Sequence, residues 1–78
     1  ALIVGATIED LDIADLEQLA EHTENPDVLA VYGALSCGSR NHLRAFNRAL
    51  ENLGVVYTPQ ELDLPTFEAI VTSAFERG

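Results

Sequence analysis

The sequence predicts an all-α fold, in which an antiparallel helical hairpin is followed by a short third helix. Apolar residues recur at steps of three and four over two long stretches, about residues 2–22 and 26–53. Only a few residues connect the two stretches, and such a short connection forces the helices to run antiparallel. The chain has 78 residues, which is enough for one domain at most, so residues 1–78 are expected to form a single unit.

The first helix, about residues 2–22, carries a carboxylate in the middle of its apolar face. At about 100° per residue, five apolar side chains fall within about 60° of Glu9. They are Leu2, Ala6, Ile13, Leu16 and Ala20. The opposite side of the N-terminal half carries Ile3, Val4, Thr7, Leu11 and Ala14. A helix that is apolar nearly all round is buried on more than one face, so we expect the hairpin to pack against further helices.

The second helix, about residues 26–53, has clear ends in the sequence. Asn25 is a suitable N-cap, Pro26 suits the first helical position, and Gly54 is a natural stop after the helix. One inward stripe is predicted between these ends, formed by Val28, Tyr32, Leu35, Ser39, His42, Phe46, Ala49 and Leu53. Ser39 and His42 are its strongly polar members.

The other side of the second helix carries three arginines and the cysteine, namely Arg40, Arg44, Arg48 and Cys37. We interpret the arginines as a solvated face paired with acids, in preference to a phosphate site. Cys37 lacks a nearby base and is interpreted as an inert or intermolecular thiol.

The remaining residues predict an extended segment and one short helix. Pro59 prevents a regular helix over about residues 55–62, and the third helix is expected over about residues 64–75 with Asp63 as its cap. The apolar face of this helix would cover one end of the core.

Charge and composition exclude several functional classes. Thirteen acidic residues against four arginines give a net charge of -9, which excludes conventional binding to nucleic acid or to an anionic membrane. A single cysteine excludes an internal disulfide framework. The acidic residues Asp10, Asp15, Glu17, Glu21 and Glu24 are interpreted as a solvated face. The chain has no methionine and opens on apolar residues, so we expect a fragment or a processed product, whose compartment stays open.

Counting from the loop places Glu9 opposite two polar residues of the second helix. With the loop centre near residue 24, Glu9 lies 15 residues before it and Ser39 lies 15 residues after it, with His42 one turn further on. A carboxylate on an apolar face needs compensation, because burying it unpaired costs several kcal/mol. Either a hydrogen bond to His42 or a bound metal ion would provide this compensation. A carboxylate and an imidazole are ligands that suit iron, manganese or zinc.

Glu9 and the segment Ser39-Arg40-Asn41-His42 resemble the ligand pattern of ferritin-like, rubrerythrin-like di-iron proteins. In that fold each half of a four-helix bundle supplies a Glu from one helix and a Glu-x-x-His from the next. Here Ser39 stands where the pattern has glutamate. Asp12, about one turn from Glu9, can partly replace the missing carboxylate.

The chain is also similar to the C-terminal half of an uncharacterised bacterial and archaeal family of ferritin-like domains. The matching segments are Ile8–Leu16, Asn25-Pro26-Asp27, Gly38–Phe46 and Tyr57-Thr58-Pro59-Gln60. This resemblance implies that the chain is a half-domain, completed to a four-helix bundle by dimerisation or by a missing N-terminal half.

The resemblance also implies a metal centre, with iron as the first candidate and manganese or zinc as alternatives. Glu9 and His42 would be ligands, and Asp12 and Ser39 would support them or bind the metal occasionally. Iron oxidation or the reduction of oxygen or peroxide would be the chemistry, and whether the protein is an enzyme stays open. The competing hypothesis is a non-catalytic helical association module, in which Glu9 and His42 form a buried structural pair.

Overall fold

In a computed structural model that describes residues 1–77, the chain is all-helical, as the sequence predicted. Its elements are α1 (Leu2–Glu21), α2 (Pro26–Asn52) and α3 (Leu64–Val71), and no strand occurs in the described part of the chain. None of the helices in residues 1–77 is long and apolar enough to cross a membrane. Residue 78, the last of the predicted unit, lies outside the described residues.

The two ends of α2 are formed by the capping residues that the sequence predicted. The Asn25 side chain accepts hydrogen bonds from the backbone N–H groups of Asp27 and Val28, at 2.9 and 3.2 Å. At the other end Gly54 has a φ of +76°, a conformation that glycine adopts without steric cost. The Val55 N–H then bonds to the Leu50 carbonyl at 2.9 Å, which closes the helix end.

The third helix is shorter than predicted, since it ends at Val71 and the expectation was about residue 75. Its cap is the predicted one, because the Asp63 carboxylate accepts the Thr66 N–H at 2.8 Å. Two hydroxyl groups at its C-terminal end, those of Thr72 and Ser73, donate to carbonyls of the last turn at 2.7 Å. Such side-chain bonds compete with continued helix, and the chain turns back towards α2.

The core lies where α1 and α2 face each other and where the segment after α2 folds over them. Its buried apolar residues are Ala6, Ile13, Leu43, Leu50, Tyr57, Leu62, Phe67 and Ile70. Gly5 permits a close approach of α1 to α2, because a Cβ there would lie 2.6 Å from the ring of Phe46. Gly5 lies near Phe46 and Glu9 lies near His42, so the two helices are antiparallel.

One side of the hairpin is left open and apolar. On α1 this side includes Val4, Ile8, Leu11 and Leu19, which are 42–60% exposed. Val31 and Leu35 of α2 are exposed as well, and so is Leu53, which directly follows α2. The prediction that Leu35, His42 and Leu53 point inward is therefore wrong for the isolated chain. We call this side, defined by those seven apolar residues, the open face.

The segment after α3 is held against α2 by a cluster that we call the tail clasp, formed by Arg40, Asn41, Arg44 and Glu76. Both guanidinium groups bind the Glu76 carboxylate, and the Asn41 side chain exchanges two hydrogen bonds of 2.9 Å with the Glu76 backbone. The interpretation of the arginines as a solvated face is wrong for Arg44, whose side chain is only 11% exposed. It pairs with an acid 32 residues away, which no local pattern reveals.

The tail clasp predicts an acid-dependent loss of stability. Hydrogen bonds from Arg40 and then Arg44 lower the pKa of Glu76 from 4.5 to about 2. Because the folded-state pKa is the lower one, this stabilisation is fully present above pH 4.5 and is lost as the pH falls towards 2. Glu76 is about a third exposed, so we expect a contribution of only about 1 kcal/mol. Urea unfolding of the wild type and Glu76→Gln should differ by this amount at pH 7 and converge near pH 2.

A matched control for this experiment is Glu51→Gln, an exposed position outside the tail clasp. Its difference from the wild type should be small at every pH. A gap between the wild type and Glu76→Gln that stayed constant down to pH 2 would contradict the assignment of the acid dependence to Glu76.

Candidate functional site

Glu9 of α1 and His42 of α2 lie side by side across the hairpin. The distance between Glu9 Oε2 and His42 Nδ1 is 3.2 Å, so Glu9 meets His42, one turn beyond the position of Ser39 that counting from the loop placed opposite it. The two side chains differ in exposure, since that of Glu9 is 14% exposed and that of His42 is 67% exposed. The carboxylate is therefore mostly covered by its own chain, whereas the imidazole still faces solvent.

Ser39 and Asp12 lie one turn nearer the interhelical loop, on opposite walls of a shallow groove. Ser39 is buried and Asp12 is exposed, and both line this groove together with Asp15, Leu16, Leu19 and Leu35. The four predicted site residues therefore fall into two pairs on successive turns. Glu9 and His42 are in direct contact, and Asp12 and Ser39 share the adjoining groove.

The candidate residues do not form a complete metal site within the described part of a single chain. Within residues 1–77, no group of three or more His, Cys, Asp and Glu side chains is placed to hold a metal ion. Glu9 and His42 nonetheless supply the two ligand types, carboxylate and imidazole, that iron, manganese and zinc accept. Two such residues do not complete a metal site, so any metal held here would need ligands that residues 1–77 do not place beside them.

A second buried carboxylate, that of Asp10, was missed by the sequence analysis. The interpretation of Asp10 as part of a solvated acidic face is wrong, because its residue surface is 0% exposed. Its carboxylate accepts the Tyr57 hydroxyl at 2.7 Å and the N–H groups of Gln60 and Leu62 at 2.6 and 2.8 Å. The Glu61 N–H adds longer bonds of 3.3 Å to both oxygens. We call this arrangement the Asp10 anchor, because it ties α1 to the segment after α2.

Tyr57 contributes both its ring and its hydroxyl to the Asp10 anchor. The ring packs on Phe67 with centroids 5.6 Å apart. Burial, in the first place, raises the pKa of Tyr57, and the neighbouring Asp10 carboxylate raises it further. The phenol therefore stays protonated and can donate to Asp10. The hydrogen bonds of the Asp10 anchor satisfy the buried Asp10 carboxylate. Asp10 therefore needs no contact with the candidate site at Glu9 and His42.

One signal in the sequence could have pointed to Asp10. At about 100° per residue it lies about 40° from Ala6 and about 60° from Ile13, both of which are buried. Its position is therefore as central to the buried face as that of Glu9. Its partners lie 47 to 52 residues further along the chain, and the helical pattern alone could not identify them.

The fold and the site together define an all-helical domain that carries a carboxylate–imidazole pair beside an open apolar face. A family model described as an uncharacterised protein domain, DUF2202, matches residues 1–74. The chain belongs to this family.

A relative of the chain is known from Methanocaldococcus jannaschii. The chain is 56% identical, over all of its 78 residues, to the uncharacterised protein MJ0754 of that archaeon. It is also similar to the crystal structure of the hypothetical protein MJ0754, with a TM-score of 0.94 and 55% identity over 96% of this chain. The chain spans less than half of this relative, 42% of its sequence and 43% of its crystallised chain.

Proposed function

We propose that this chain is one half of a ferritin-like helical bundle that binds a transition metal such as iron through Glu9 and His42. The observation that carries the proposal is the 3.2 Å approach of Glu9 Oε2 to His42 Nδ1 beside the open face. A carboxylate and an imidazole from two antiparallel helices are the ligands that one half of such a bundle contributes.

The open face supports the view that a second helical pair completes the bundle. Apolar side chains on both helices remain more than a third exposed on this side, among them Ile8 and Leu35. Several exposed apolar side chains on one side of a folded protein are typical of an interaction site. The completing pair would come from a second copy of this chain, giving a homodimer, or from the part of a longer protein that this chain does not contain.

Completion of the bundle would make a cation favourable at this position. Covering the open face would remove Glu9 and the 67% exposed His42 from water. Two copies would bring two such carboxylates together, with the two Asp12 side chains close by, and like charges repel in a medium of low polarity. A divalent metal ion offsets this repulsion and satisfies both ligand types.

The residues of the chain have distinct tasks in this proposal. Glu9 and His42 would hold the metal, Asp12 and Ser39 would support them from the adjoining groove, and apolar neighbours such as Leu16 would exclude water. Iron would supply the redox chemistry, either its own oxidation or the reduction of oxygen or peroxide, and manganese or zinc are the alternative metals.

The same contact also favours a second candidate function, a helical association module without a metal. Glu9 is mostly covered and already has a hydrogen-bonding partner at 3.2 Å, so the pair could fix the register of two associating hairpins on its own. In this reading neither residue binds a ligand.

Metal content per chain distinguishes the two functions. Protein reconstituted anaerobically with ferrous iron is analysed for metals, and its mass in solution is measured on the same sample. We expect about one metal ion per chain in a dimer, because each hairpin supplies one carboxylate–imidazole pair. Glu9→Ala and His42→Ala should lose the metal, whereas Glu21→Ala, an exposed acid of α1, should keep it. An intact dimer without metal above background would favour the association module.

A further inference from the structure

Two arginines of α2 converge on one carboxylate at the outer side of the hairpin, away from His42. Arg40 binds Glu76 through two parallel hydrogen bonds, from Nε to Oε2 and from Nη2 to Oε1, each 2.7 Å long. Arg44 Nη2 donates to the same Oε2 atom. Two guanidinium groups thus face a single negative charge, in the forked geometry with which arginine recognises carboxylates and phosphates.

This arrangement lies in an open depression. Arg40 is 30% exposed and Glu76 is 32% exposed, so solvent reaches both partners. The depression has a volume of about 630 Å³ and is lined further by Thr66, Ser73 and Glu17. Glu76 lies outside the helices, in the segment that follows α3. Ion pairs with this much exposure are weak, so the Glu76 side chain can exchange with a free anion.

Arg44 would keep its position if the Glu76 carboxylate moved away. Arg44 also donates to the Ile70 carbonyl at 2.9 Å, to the Asn41 side chain at 2.8 Å and to the Ser73 hydroxyl at 3.0 Å. These bonds hold the guanidinium group from both α2 and the end of α3. A site whose donors are fixed in advance loses little free energy in ordering them when a ligand binds.

We propose that Arg40 and Arg44 form a binding site for an oxyanion of the phosphate class, occupied within the chain by the Glu76 carboxylate. A phosphate dianion matches the two positive charges better than the single charge of a carboxylate does. Glu76 acts as a tethered competitor, whose effective concentration for so short a segment is in the millimolar range. The Glu17 carboxylate at the rim of the depression repels anions. It therefore lowers the affinity for phosphate below the value that the two arginines alone would give.

The test is a titration of the 78-residue chain with inorganic phosphate, followed by the arginine Nε–Hε signals in nuclear magnetic resonance spectra. Glu76→Gln removes the competing charge and should bind phosphate about fivefold more tightly than the wild type, as expected for the loss of a weak, partly exposed ion pair. Adding Arg40→Gln to this variant should abolish the gain. Adding Arg48→Gln, an exposed arginine outside the tail clasp, should leave the gain intact.

Other outcomes would overturn the proposal. Equal phosphate affinity in the wild type and Glu76→Gln would show that the tail clasp only fastens the segment. Acetate binding as tightly as phosphate would refute the assignment to the phosphate class. If Glu76→Gln does not fold, a chain ending at Phe75 takes its place and should show the same gain. Glu9→Ala should titrate as the wild type does, so this test and the metal test succeed or fail independently.

Discussion

Replacing Asp10 with alanine should reduce the free energy of unfolding by about 4 kcal/mol. The substitution removes an acceptor that serves the Tyr57 hydroxyl and the backbone N–H groups of Gln60 and Leu62. Hydrogen bonds to a charged group contribute about 1.5–3 kcal/mol each, and buried donors left unpaired add a further cost. A domain of this length has a total stability of about 4–12 kcal/mol, so Asp10→Ala should lose between about a third and all of it.

Graded substitutions separate the parts of the Asp10 anchor. Asp10→Asn keeps one acceptor oxygen but turns an amide group towards other donors, and should cost about 2–3 kcal/mol. Tyr57→Phe removes a single hydrogen bond to the carboxylate and should cost about 1.5 kcal/mol. Asp15→Ala, at an exposed position of the same helix, is the matched control and should change stability by less than about 0.5 kcal/mol.

The measurements are urea unfolding curves and amide hydrogen exchange. In the wild type the amides of Gln60 and Leu62 should be protected, because their hydrogens point at a buried carboxylate. Tyr57→Phe should retain most of this protection. A cost for Asp10→Ala no larger than that of Asp15→Ala would contradict the anchoring role of Asp10.

The sequence predicted the elements whose causes lie close together in the chain. The cap at Asn25 and the stop at Gly54 depend on residues no more than about four positions away, and both are seen in the structure. The meeting of Glu9 with His42 required one further fact, the antiparallel hairpin, which the short connection supplied. Helical spacing and a loop length are sufficient for such conclusions.

Contacts between distant parts of the chain could not be predicted in the same way. The Asp10 anchor joins residues about 50 positions apart, and its donors are mostly backbone N–H groups, which leave no mark on the amino-acid pattern. The pairing of Arg44 with Glu76 spans 32 positions and depends on where the chain turns after α3. The sequence analysis therefore interpreted Asp10 and Arg44 as parts of solvated faces, and both proved to make tertiary contacts.

Metal should stabilise the wild-type chain, and this gain should vanish in Glu9→Ala and His42→Ala. A ligand that binds the folded form alone adds about 2.7 kcal/mol when its free concentration is about 100 times Kd. Without metal, the 3.2 Å pair has an imidazole that is 67% exposed, so breaking it should cost less than about 1 kcal/mol. The measurement is urea unfolding at fixed protein concentration, with and without ferrous iron, manganese or zinc.

Measurements on the metal-free variants distinguish the two candidate functions, because the two functions predict opposite changes in the stability of the assembly. A metal centre gathers carboxylates that repel one another when it is empty, so Glu9→Ala should leave the metal-free assembly as stable as before or more stable. A structural pair predicts the opposite change. Removing Glu9 would then leave its buried partner unpaired and would weaken the assembly by several kcal/mol. Glu21→Ala supplies the baseline for both, as an exposed acid on the same helix. A weakened metal-free Glu9→Ala assembly, together with a wild type that gains nothing from any of the three metals, would assign Glu9 and His42 to association alone.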